Sequence, residues 1–101
     1  MDDTTLGGYQ QVHGRPPAFG AADGQAYSVA TFTDDTDGRF GAALLFVRWG
    51  EGEQRPVGHL ETEYLAFGAT PDAALAPLLT LPLAQVKAHL DALVEQARAR
   101  A

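Results

Sequence analysis

The run Ala42-Ala43-Leu44-Leu45-Phe46-Val47-Arg48-Trp49 is apolar at every position but one. A strand with one face in water alternates apolar and polar residues, whereas a strand covered on both faces does not. A chain of 101 residues makes one domain. Three strands and one helical layer would cover only one side of the sheet. The other side then needs its own cover, either the N-terminal segment or a second copy of the chain.

Two further strands flank this run. Residues 26–33 are dense in β-branched and aromatic side chains, and Asp37-Gly38 supplies the turn into the central strand at 40–49. The polar stretch Gly50 to Pro56 reads as a second hairpin connection, leading to a third strand over 57–67. There Leu60 and Tyr64 point one way and His59, Glu61 and Glu63 the other.

After Ala69 the period becomes helical. Thr70, Pro71 and Asp72 have the character of an N-cap, a first helical residue and an acid at the positive helix end. Pro77 is expected to end or kink this short helix near Ala76. A second helix starts after Thr80-Leu81-Pro82, with Leu83, Val86, Leu90, Leu93, Val94 and Ala97 recurring on one stripe. The expected fold is α+β: a three-stranded antiparallel β-meander in the order β-β-β-α-α, with one short and one long C-terminal helix packed on one face.

Residues 1–24 read as a partly disordered N-terminal arm ahead of a single α+β domain at 25–101. Gly7-Gly8, Gly14, Pro16-Pro17 and Gly20 break any period, while Tyr9, Val12 and Phe19 could anchor the arm across a surface. Met1-Asp2-Asp3 is acidic where a secretory signal would be basic, and no apolar run is long enough to span a bilayer. The expected location is cytoplasmic.

Composition narrows the chemistry. Cysteine is absent, which excludes disulfides, thiolate catalysis and Cys-ligated zinc. A net charge of −6 opposes binding to nucleic acid and to anionic lipid, so neither a nucleic acid nor a membrane is expected as partner. It also opposes base stacking on Phe46, Arg48 and Trp49, as do Glu51 and Glu53 in the adjoining loop. The eighteen alanines, and six arginines against a single lysine, read as GC-rich codon usage and are not taken as a functional signal.

Three residue sets could carry chemistry. His59, Glu61 and Glu63 share one side of the third strand and could hold a divalent ion or a small molecule, although i, i+2, i+4 spacing also describes any solvated strand face. Arg48 would pair with Glu61 or Glu63 if they share a face, or else face an anionic ligand. The acidic turn resembles a calcium loop only in part. With Gly38 at the sixth position, Asp35 and Asp37 fall at the third and fifth, but Thr33 and Leu44 occupy the first and twelfth. Ser28 is the only serine, lies mid-strand and lacks the glycines of a nucleophile elbow.

The expectation is a small acidic interaction module that is non-catalytic and requires no cofactor. Its expected partner is itself, as a homodimer, or another protein. Tyr27, Phe46, Val47 and Trp49 are the expected interface residues. The alternative is a small-molecule or divalent-metal-binding protein using His59, Glu61, Glu63 and Arg48.

Overall fold

The computed structural model describes residues 4–21, 23–50 and 55–100. Helix α1 spans Leu6–His13, strand β1 Ala18–Gly20, β2 Ala26–Asp35, β3 Phe40–Trp49, β4 Pro56–Glu61 and β5 Ala66–Gly68; helices α2 (Pro71–Leu79) and α3 (Leu83–Arg100) follow. The class is α+β with an antiparallel sheet. Among the described residues the sheet has five strands rather than the expected three, and there are three helices rather than two.

Both additional strands come from segments with another expected role. β1 comes from the supposed arm and pairs with the start of β2, Phe19 opposite Tyr27. The expected third strand is interrupted at 62–65, because Thr62 turns its side chain onto the sheet edge. Its Oγ1 accepts from Leu44 N at 3.0 Å, while its own N–H donates to Leu44 O. The chain rejoins as β5, so β4 and β5 lie in succession along the β3 edge opposite β2.

The segment before β1 is helical rather than extended. Thr5 caps α1, its Oγ1 accepting from Gly8 N, and Gly14 closes the helix at φ 66°, a left-handed conformation that glycine adopts without steric cost. Leu6 N donates to Leu81 O at 2.9 Å and Leu83 N to Thr4 O at 2.7 Å, which fastens this end to the α2–α3 junction. The part of the disorder expectation that concerns residues 1–3 lies outside the described residues, as does the connection at 51–54.

Pro77 does not end α2, which runs on to Leu79. One missing N–H removes one helical bond, whereas continuing the helix buries Leu78 completely in the core. Thr80 then terminates it by donating its hydroxyl to Pro77 O at 2.8 Å.

One apolar cluster joins Leu6, Ala74, Leu78, Val86, Leu90 and Val94 of the helices to Tyr27, Val29, Ala42, Leu44 and Phe46 of the sheet. In α3 the buried residues are spaced i, i+4, i+8, as one helical stripe requires. Each contributes about 1.5–3 kcal/mol through burial. The register places Val29 opposite Phe46, Thr31 opposite Leu44 and Phe46 opposite Leu60, so the sheet members of the cluster all belong to one face. No helix among the described residues is long and apolar enough to cross a membrane.

Candidate functional site

The face that adds nothing to this cluster carries Ser28, Ala30 and Phe32 from β2, and Gly41, Ala43, Leu45, Val47 and Trp49 from β3. Small residues occupy its middle, where Ala30 lies opposite Leu45 and Phe32 opposite Ala43. Aromatic groups stand at both ends. At one end Trp49 Nε1 donates to Ser28 Oγ at 2.9 Å, which satisfies the indole and leaves its ring half-exposed. At the other end Tyr64 and Phe67 meet edge to face over Gly41, with ring centroids 5.8 Å apart, and the Arg39 guanidinium sits 4.0 Å from the Phe67 centroid. Phe67 is 42% exposed, high for a phenylalanine.

The four expected interface residues divide between the two faces. Val47 and Trp49 lie on this second face, half-exposed. Tyr27 and Phe46 lie on the other, where the chain's own apolar cluster buries them, so neither is available to a partner. Burial raises the Tyr27 hydroxyl above its ordinary pKa, helped by its hydrogen bond to Asp23 Oδ2 at 2.8 Å. The expected anchors of a covering arm also fall elsewhere. Val12 is 48% exposed, and Phe19 packs against the apolar cluster.

The polar residues of the third strand are only partly brought together. His59 Nε2 and Glu61 Oε1 are 3.5 Å apart, both well exposed. Glu63 falls in the interruption after β4, where strand alternation no longer directs it. All three nevertheless border a groove of about 660 Å³ between β4 and α3, together with His89 and Arg100. His89 was invisible as a neighbour in the sequence because it comes from a different element. Among the described residues, no group of three or more His, Asp or Glu side chains is placed to hold a metal ion.

Arg48 does not share a face with Glu61, and Glu63 lies outside the strand register. Arg48 lies opposite Gly58 and Tyr27, whereas Glu61 lies opposite Leu45, on the other face. Its Nη2 reaches Val57 O at 3.4 Å, passing over Gly58, where a Cβ would come within 3.1 Å of it. The acidic turn is occupied by local bonds: Asp35 Oδ1 accepts from Gly38 N, and Thr36 bonds twice to Arg39 O. Ser28 and His59 share the second face but stand two strands apart with Val47 between them, about 10 Å at the usual strand spacing. That is too far for a nucleophile and its base.

Comparison with protein-family models, with curated proteins and with solved structures finds no match to this chain.

Proposed function

We propose that this protein is a non-catalytic interaction module that pairs with a second copy of itself. The helices cover one face of the sheet, and the second copy covers the other. The carrying observation is the second face itself: Ala30, Phe32, Leu45, Val47 and Trp49 form a continuous apolar surface that contributes nothing to the chain's own core cluster. Surfaces of that kind on a soluble chain mark interaction sites.

A second copy is favoured by the chemistry of this face. Only β2 and β3 are ten residues long, about 33 Å, and the sheet is four strands across, three spacings or about 14 Å, giving at most roughly 460 Å² in flat projection and more once side-chain relief is counted. This is below the ~800 Å² per partner of a standard interface, so the pair would be a small one. The β2–β3 centre of the face carries no charge, with Glu61 and His59 of β4 at its margin, so two identical surfaces meet at the centre without like-charge repulsion. Sheet-on-sheet packing would set the two faces about 10 Å apart, Ala30 leaving room for a larger side chain opposite.

Light scattering in solution tests this reading. The expected mass is twice the 10.7 kDa of one chain. A single-chain mass at micromolar concentration would remove the proposal.

A further inference from the structure

At the other end of the helix-bearing side, between the last turns of α3 and the β3–β4 pair, lies a second cavity of about 360 Å³, within the range of small-molecule sites. Arg48 from β3 and Arg98 from α3 both line it, fifty residues apart in the chain. Leu60, Val94 and Ala97 form an apolar wall beside them.

Neither guanidinium has a carboxylate partner among the described residues, although Arg48 lies close enough to the Tyr27 hydroxyl to interact with it. Arg48 is half-buried, and its backbone contact to Val57 O is at the long limit of hydrogen bonding. A guanidinium has five donors, so contacts to Val57 O and the Tyr27 hydroxyl leave others over for a ligand. Asp23, in the same wall, is already engaged: Oδ1 accepts from Gln25 N and Oδ2 from the Tyr27 hydroxyl. Gly58 is what admits the arrangement, because its missing side chain lets the Arg48 head lie across β4 at the cavity edge.

We propose that this cavity binds a small carboxylate carried on an apolar body, with its oxygens at Arg48 and Arg98 and its body against Leu60, Val94 and Ala97. Planar guanidinium forks match a carboxylate in bidentate geometry. The apolar wall selects against inorganic anions. The site stands independently of self-association, since it lies on the opposite side of the sheet from the proposed pairing face.

The test is an NMR titration of the full chain, following the arginine Nε–H and backbone signals, with benzoate and hexanoate as probes. Benzyl alcohol and inorganic phosphate run in parallel. Saturable shifts at Arg48 and Arg98 with the two carboxylates are expected, and about tenfold weaker binding in R48M and in R98A. Arg98 is exposed, so R98A keeps the fold and decides the question even where R48M unfolds. The assignment is overturned if neither carboxylate saturates, or if R98A binds as wild type does. It is also overturned if benzyl alcohol or phosphate binds as tightly as benzoate.

Discussion

The Tyr64 hydroxyl donates to Asp34 Oδ2 at 2.8 Å, thirty residues away, by laying its ring over the bare backbone of Gly41. A Cβ at Gly41 would stand 2.7 Å from Tyr64 Cγ and 3.1 Å from Phe67 Cε1. Gly41 therefore sets where the aromatic end of the second face can lie.

Gly41→Ala should displace the Tyr64 ring and cost about 1–3 kcal/mol, the usual range for overpacking. In a Tyr64→Ala background the same change should cost less, since the side chain it collides with first is gone. Urea unfolding of the four proteins gives the coupling directly. Equal costs in both backgrounds would show that the ring and the glycine do not interact.

Two tyrosines give a pH signature. The Tyr64 hydroxyl is held above its ordinary value of 10.0 chiefly by the hydrogen bond to Asp34, and that of Tyr27 chiefly by burial. A raised folded-state pKa means that the unfolded chain loses these protons first. The stabilisation is thus complete below pH 10 and declines as pH rises through the folded values. Unfolding free energy should fall above pH 10, and tyrosinate absorbance should rise later in native than in denatured protein. Tyr27→Phe combined with Tyr64→Phe should abolish that late component.

Gly68 holds the end of β5 against the start of α2. A Cβ there would lie 2.6 Å from Ala74 N and 2.7 Å from Ala73 C, both backbone atoms that cannot turn aside. Gly68→Ala should therefore separate β5 from α2 and destabilise by about 1–3 kcal/mol. Gly20→Ala, with nothing within 4 Å of its Cβ, is the matched control and should be near neutral. Thermal unfolding of the pair measures the difference.

The elements that the sequence disclosed are those governed by neighbours a few residues away. The Asp37-Gly38 turn, with φ 57° and 93°, and the Val86-Leu90-Val94 stripe both follow from local chemistry. Helix α1 escaped because Gly7 and Gly8 lower its propensity and only Leu6 is buried, although Thr5 and Gly14 stood at its ends as caps. The break at Thr62 escaped because it depends on a side chain finding Leu44, eighteen residues back. For the site, the parity of β3 already separated Phe46 from Val47. Placing Tyr27 beneath the helices and Arg48 away from Glu61 needed the register between strands, which hairpin loops of unknown conformation leave open.

Phe46 and Val47 are adjacent in sequence and opposite in role, and this separates stability from association. Phe46 is fully buried in the apolar cluster, so Phe46→Ala should cost about 3–5 kcal/mol of folding free energy. Val47 is half-exposed on the second face, between Ser28 and His59. Val47→Glu should leave the monomer folded, since a carboxylate there remains in water, yet it would bury two like charges in a face-to-face pair. The variant should run at single-chain mass by light scattering while its circular dichroism stays native. If Val47→Glu keeps the wild-type mass, the second face is not where copies of this chain meet. If it unfolds instead, the face supports the fold itself, and Leu45→Gln, one pleat along the same side, distinguishes a general requirement for apolar residues there from an effect confined to Val47.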